Sequence, residues 1–161
     1  MVDANYLDQQ VVVFDLDQQV YGVPIDAVLE IIRMEKITPI PQAPDFIEGI
    51  IEIRGRVIPV MDLRKRFGLQ VAEYTQSTRI IIVDMDSNSM GIIVDSVAEV
   101  LQISSGNVEP PPSVIGSVDQ SFIQGVALLE KRMIILLDLA KVLQDEEKEV
   151  LESIMTAEQN V

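Results

Sequence analysis

Carboxylates are the abundant reactive side chains in this sequence: 26 Asp and Glu stand against 12 Lys and Arg, and the 161 residues include neither histidine nor cysteine. Two pairs, Asp15 with Asp17 and Asp84 with Asp86, have a spacing that an acid/base couple could use. An Asp-x-Asp pair can also hold calcium or magnesium, but only within a wider set of oxygen ligands at loop spacing, and neither pair has one. Both pairs close an apolar run at a place where aspartate commonly makes a turn, and the turn reading is the one adopted. Without imidazole or thiol there is no serine–histidine or cysteine–histidine couple, no disulfide and no usual zinc or copper ligand set. Phosphate loops are missing as well, because Gly49 and Gly55 are followed by no Lys-Ser or Lys-Thr and no Gly-x-Gly-x-x-Gly occurs. No enzyme activity, metal or cofactor is expected.

One cation stands out. Arg54 lies between the end of an apolar run at Ile53 and the turn residue Gly55, where a guanidinium could grip a carboxylate at two points, and Glu30 is the expected partner. The plainer alternative is an exposed arginine or a structural ion pair, worth at most about 1 kcal/mol in solvent. Both readings stand at this point. The formal net charge of −14 repels phosphate backbones and anionic headgroups, and the largest basic cluster is Arg64-Lys65-Arg66. No nucleic-acid partner and no direct membrane insertion are therefore expected. Residues 1–10 are polar and acidic, and runs such as Ile80–Val83 and Met133–Leu137 are strand-length, so neither a secretory leader nor a spanning segment is read and a cytoplasmic protein is expected.

The elements that must position these residues come from one unit used twice. Gln10–Ile32 aligns without gaps onto Arg79–Leu101, with Asp15/Asp84, Asp17/Asp86, Gly22/Gly91, Asp26/Asp95, Val28/Val97 and Glu30/Glu99 identical. Phe46–Phe67 aligns onto Phe122–Leu143, with Phe46/Phe122, Ile47/Ile123, Gly49/Gly125, Arg56/Arg132, Asp62/Asp138 and Leu63/Leu139 identical. The two repeats thus occupy residues 10–67 and 79–143 of a single domain over residues 8–158, and the extra length of the second falls around Pro110-Pro111-Pro112.

Each repeat reads as short strands. Val11–Leu16 and Ile80–Met85 each run into a polar turn and a return strand, Val20–Val23 or Met90–Val94. Val28–Arg33 is a further strand, Pro44–Gly49 a single helical turn stopped by its glycine, and Ile50–Ile53 and Arg56–Met61 two more strands. Asp62 and Asp138 are placed to cap helices. In the second of these helices Leu139, Val142, Leu143, Val150, Leu151, Ile154 and Met155 form an apolar stripe, and the acidic run Asp145–Glu149 is its solvated face. With 48% hydrophobic and only 4% aromatic residues, the core must be largely aliphatic. The fold class expected is mostly β: two pseudo-symmetric five-stranded SH3-like or OB-like barrels with a C-terminal helix, strands possibly exchanged between them. Differences between repeats mark specialisation, and Arg54-Gly55 against Glu130-Lys131 puts it in the first.

The continuous stretch from Phe46 to Phe67, FIEGIIEIRGRVIPVMDLRKRF, resembles the signature of CheW-like domains. The likeness continues through Tyr21-Gly22-Val23, Val28–Arg33, Gly91–Asp95 and Arg132–Leu136, leaving out only the termini. What the resemblance implies is a non-enzymatic chemotaxis adaptor with two partners, the cytoplasmic tip of methyl-accepting chemoreceptors and the regulatory domain of the histidine kinase CheA. It further implies recruitment to membrane-associated receptor arrays. Carried over by position, it assigns a receptor-facing groove to Val28, Glu30, Gly49, Arg54, Val97 and Val100, and kinase contacts to Ile37 and Ile40. Burial of Val28, Val97, Ile37 or Ile40 would weaken those assignments. Members also occur fused to other domains, but the short flanks here fit a stand-alone adaptor. The same fold could serve a pilus or other non-flagellar pathway. An OB-like oligonucleotide binder would need stacking aromatics and cationic grooves that this composition lacks, and a carboxylate or metal hydrolase lacks its ligand cluster.

Overall fold

Strict alternation along the first apolar run sets the architecture. Val11 and Val13 point to one side and Val12, Phe14 and Leu16 to the other, yet all five are buried. A strand buried on both faces must lie between two cores. The computed structural model describes residues 9–85, 88–111, 120–142 and 147. The run is β1 (Gln9–Leu16), which returns as β2 (Gln19–Pro24) through Asp17 and Gln18, both at positive φ of 52° and 65°. Two such residues in a two-residue loop give the turn that matches the twist of paired strands. The second repeat forms the same hairpin from β6 (Arg79–Met85) and β7 (Asn88–Val94).

The first repeat continues through a 3-10 turn at Ile25–Ala27 into β3 (Val28–Arg33), β4 (Ile47–Ile53), β5 (Arg56–Asp62) and the one-turn helix α1 (Leu63–Arg66). Its second-repeat counterparts are β8 (Ser96–Ile103), β10 (Ile123–Leu129), β11 (Arg132–Leu137) and α2 (Leu139–Val142), with a two-residue strand β9 (Val108–Glu109) before β10. Six strands join in the order β8-β1-β2-β11-β10-β9, and five in the order β3-β6-β7-β5-β4. Each sheet therefore takes its central hairpin from one repeat and its flanking strands from the other, joined by parallel pairing of β2 with β11 and of β7 with β5.

Three apolar clusters result. Val11, Val13, Ile103, Ala127, Ile134 and Leu136 fill the six-stranded sheet, and Ile51, Ile58, Val60, Ile80, Ile82 and Ile93 fill the five-stranded one. The opposite faces share a third core containing all four phenylalanines, Phe14, Phe46, Phe67 and Phe122. β3 and β4, and β8 and β9, are the outermost strands of their sheets, so among the described residues the expected barrels are open sheets in their strand ladders, with only the Thr38–Ile50 bridge beyond β4. The clusters inside each sheet are covered by residues of that sheet and its own loops, such as Met34 and Ile37, which requires each sheet to curl on itself.

Two sequence expectations need correction or restriction. In place of the helical turn expected over Pro44–Gly49, Pro44–Ile47 is a β-turn that runs straight into a strand: the Ile47 amide donates to the Pro44 carbonyl at 2.9 Å, and β4 begins at Ile47. Gly49, at φ 151°, lies in a bulge where β4 shifts register against β5 between Ile47 and Gly49. The bulge lets Ile47 face the shared core while Ile51, in phase with it by simple alternation, faces the inner core. Gly125 bulges at the matching place in β10. Capping follows expectation: Asp62 accepts from the Arg64 amide at 2.9 Å and Asp138 from the Ala140 amide at 3.1 Å. In the helical stripe, Val142 is buried in the shared core and Leu139 packs against it. Leu143, Val150, Leu151, Ile154 and Met155, like Asp86 and most of the acidic run, lie outside the described residues.

Candidate functional site

The described carboxylates of the two pairs lie at the ends of hairpins. Asp15 accepts from the Ser96 hydroxyl at 2.9 Å, Asp17 occupies its hairpin turn, and Asp84 is exposed at the end of another. Among the described residues no three acidic side chains are grouped to hold a metal ion.

A different arrangement emerges at the outer strands β3 and β8, which occupy matching places in the two repeats. Val28 on β3 and Val97 on β8 are both partly buried against the shared core. Past each valine the strand skips one residue in its pairing: β3 shifts between Val28 and Glu30, and β8 skips Ala98 against Val13 and Phe14 of β1. Leu29 and Ala98 are thus the extra residues of equivalent bulges and both are exposed. Two residues further on, Ile31 and Val100 are equivalent and left 40% and 47% exposed, and the bulged Leu29 reaches 53%. Edge strands that carry exposed branched aliphatics on the rim of a shared core form two apolar walls.

Acids flank both walls, and each is held by a cation. Arg54 Nη1 reaches Glu30 Oε2 at 2.6 Å, and Arg132 Nη1 reaches Glu99 Oε2 at 3.0 Å. The two glutamates are equivalent but the arginines are not: Arg54 matches Glu130, and Arg132 matches Arg56, which donates to the Ser89 hydroxyl at 3.1 Å. Arg54 was expected to grip Glu30 at two points; the contact is through one nitrogen. A reason lies in its backbone, since Arg54 and Gly55 both take positive φ, 53° and 77°, in the β4–β5 turn. The side chain leaves that turn 76% exposed and touches the glutamate with its tip.

A buried-side network fixes the entry to β8. Arg64 donates to Asp95 through Nε at 2.9 Å and Nη2 at 2.6 Å, and to the Gln70 carbonyl through Nη1 at 2.8 Å. The Asp17 amide donates to Asp95 at 2.9 Å, and the Asp95 amide donates to the Asp15 carbonyl at 3.0 Å. Burial pushes the Asp95 carboxyl up, but hydrogen bonds from Arg64 and the Asp17 amide outweigh it and hold the group below the usual aspartate range. Asp62 shows the opposite balance: burial dominates over its helix-cap hydrogen bond and raises it. The Tyr74 hydroxyl donates to that carboxyl at 3.3 Å.

The residues assigned by resemblance are therefore distributed unevenly. Val28 and Val97 each pack against the shared core, which weakens them as contact residues without burying them fully, and Glu30, Arg54 and Val100 lie on the same outer strands or the adjoining turn. Gly49 is buried in its bulge, where it shapes β4 and offers no surface. Ile37 packs on the inner core of the five-stranded sheet, and Ile40 is partly buried on the same connection, which weakens both as contact residues. Ile31, Leu29, Glu99 and Arg132 were missed. The repeat alignment held the signal, because it pairs Ile31 with Val100 and Glu30 with Glu99.

Comparison with known proteins is decisive for the family. The CheW-like domain profile matches residues 10–147. The chain is 36% identical to the chemotaxis protein CheW of Rhizobium meliloti, over 88% of this chain and 91% of that protein. It is 32% identical to the Klebsiella aerogenes protein of the same name, over 91% and 88%. The crystal structure of the scaffolding protein TtCheW from Thermoanaerobacter tengcongensis is similar with a TM-score of 0.83 and 41% identity, covering 89% of this chain and 97% of that one. Profile, relatives and architecture agree that this chain belongs to the CheW-like family of non-catalytic chemotaxis scaffolds.

Proposed function

We propose that this chain couples the cytoplasmic tip of methyl-accepting chemoreceptors to the regulatory domain of the histidine kinase CheA, at membrane-associated receptor arrays. The observation that carries the reading is the pair of equivalent apolar walls, Val28 with Ile31 and Val97 with Val100, on the rim of one shared core. A receptor tip is helical, and a helix offers apolar residues at i, i+3, i+4 and i+7 to a groove of this kind. Glu30 with Arg54 and Glu99 with Arg132 supply a polar rim, which directs partner choice and orientation more than it adds affinity. Ile37 and Ile40 are the proposed kinase contacts. They lie on the connection after β3 that returns to β4 through the Thr38–Ile50 bridge, so the two partners would use different faces.

The test is size-exclusion chromatography of the full chain with a receptor cytoplasmic fragment, with the kinase regulatory domain, and with both. Formation of both binary complexes and of the ternary one is expected. Competition between the two partners for the chain would overturn the two-face reading, and absence of either binary complex would overturn the coupling role.

A further inference from the structure

We infer that Arg64 is a positioning residue whose two-point grip on Asp95 fixes the β8 wall of the groove, while the β3 wall has no equivalent anchor among the described residues. The inference rests on the groove reading above. Arg64 leaves α1 of the first repeat, only 16% exposed, and reaches across to the second repeat at the residue immediately before β8. All three of its side-chain nitrogens are used: Nε and Nη2 on the Asp95 carboxylate, and Nη1 on the Gln70 carbonyl, with Asp17 Oδ1 also 3.4 Å from Nη1. A bidentate guanidinium–carboxylate pair defines direction as well as distance.

Asp95 is held from two other sides by the Asp17 and Asp15 main chain, and Ser96 adds its hydroxyl to Asp15. The start of β8 is therefore tied to the β1–β2 hairpin and to α1 together. Val97 follows within two residues and pairs with Phe14.

The other wall is built differently. In the repeat alignment Asp26 stands for Asp95 and Ala140 stands for Arg64. The alanine side chain has no donor, and Asp26, exposed in its 3-10 turn, accepts from Gln9 Nε2 at 2.9 Å. At its entry one wall is thus fixed by an ion pair across the repeats, and the other, among the described residues, by a single neutral donor at the surface. A groove with one fixed and one adjustable wall can keep register with a helix while accommodating different side chains. Sequence identity alone hides this, because both aspartates are kept and only the cation differs.

The experiment uses the full chain with Arg64→Ala, Arg64→Lys and Asp95→Asn, each measured for receptor-fragment affinity, kinase-domain affinity and amide hydrogen exchange. Arg64→Ala is expected to weaken the receptor fragment about tenfold while kinase-domain affinity stays within about twofold. Arg64→Lys should fall between, keeping the charge without the fork. Exchange should quicken at β8 amides and stay unchanged in β4 and β5. Equal loss of both partners, unchanged receptor affinity in a folded Arg64→Ala protein, or exchange that quickens everywhere alike would overturn the inference. If Arg64→Ala fails to fold, Asp95→Asn, which keeps the shape and loses the ion pair, is read by the same criteria. If the unsubstituted chain does not bind the receptor fragment, the groove reading fails, and the exchange pattern alone decides whether Arg64 fixes β8.

Discussion

Arg66 donates through Nε to the carbonyl of Val142 at 2.5 Å, and Val142 occupies Arg66's own place in the second repeat. A residue bonded to its own repeat counterpart sits at the pseudo-symmetry axis. The neighbouring rings agree: the guanidinium carbon lies over both Phe46 and Phe122, also counterparts, at 4.5 and 4.9 Å from their centroids. Both terminal nitrogens reach Glu147, at 3.0 and 3.2 Å. Phe122 then begins a row of rings through Phe67 and Tyr21 to Phe14, with centroids 5.4, 5.9 and 5.9 Å apart. The cation therefore joins both sheets and the C-terminal turn at one end of the shared core.

Arg66→Ala should cost about 3 kcal/mol, since it leaves the Glu147 carboxylate and the Val142 carbonyl short of a donor and opens space beside two rings. Urea denaturation checks this, and Arg66→Lys should recover part of the loss without the ring contacts. A loss below about 0.5 kcal/mol would show that the rings close on each other without the guanidinium.

Gly49→Ala should be more damaging than Gly125→Ala. A methyl group at Gly49 would lie 2.1 Å from the Thr38 carbonyl oxygen, on a backbone at φ 151°. At Gly125 the nearest atom is the Glu109 carbonyl oxygen, at 2.9 Å. Thr38 and Ile50 bond to each other in both directions, at 2.9 and 2.8 Å, so relief at Gly49 would break the bridge that ties the β3 connection to β4. About 3 kcal/mol or more is expected for Gly49→Ala and about half that for Gly125→Ala, by thermal unfolding.

Asp62 and Asp95 should shape the acid limb of stability in opposite directions. The folded state raises Asp62, so it binds that proton more tightly than the unfolded chain, and its contribution is full below roughly pH 4 and declines as pH rises through the raised value. Asp95 is lowered; its contribution is present above roughly pH 4 and is lost as pH falls through the lowered value. Asp95→Asn should flatten the loss of stability below that pH, and Asp62→Asn should flatten the change above it. Denaturation midpoints across pH 2–7 resolve the two windows, which roughly adjoin at the unperturbed aspartate value.

Much of this was legible in the residues. Gapless alignment of the two blocks gave the repeated elements, and the aspartates at 62 and 138 gave the helix starts, because a cap is a local event. Pairing between distant strands was not legible. The exchange of hairpins between sheets depends on which apolar face meets which, and Val, Ile and Leu look alike in that respect. Pro44–Gly49 was misread for a related reason: proline, aspartate and glycine suit a helical turn locally, while Phe46 and Ile47 are claimed by the shared core. At the groove, Ile31 escaped notice because an apolar residue in an alternating strand is ordinarily buried. Its place on the outermost strand of its sheet leaves it exposed.

Arg54→Ala should separate binding from stability. The residue is largely solvent-exposed and makes one contact with Glu30, so its removal should cost less than about 1 kcal/mol of folding stability, and less still at high salt. Receptor-fragment affinity should fall about tenfold if the Glu30–Arg54 pair belongs to the docking rim. A protein equally stable and equally able to bind would leave the pair as a surface ornament of the β4–β5 turn.

Ile31 and Val100 give the sharpest test of the groove, because they are equivalent, exposed, and on opposite walls. Ile31→Asp and Val100→Asp should each leave stability within about 1 kcal/mol, as exposed positions do. Each should weaken the receptor fragment about tenfold or more, because a helix seated between the walls would have to desolvate the new carboxylate. Leu128 and Met133 are a matched control: they face each other across the β10–β11 pair and are also exposed, at 44% each. Leu128→Asp should not change receptor affinity. If all three substitutions weakened binding alike, added negative charge on an already acidic chain would be the cause, and the walls would have no special role; if only those at 31 and 100 did, the helix lies between β3 and β8.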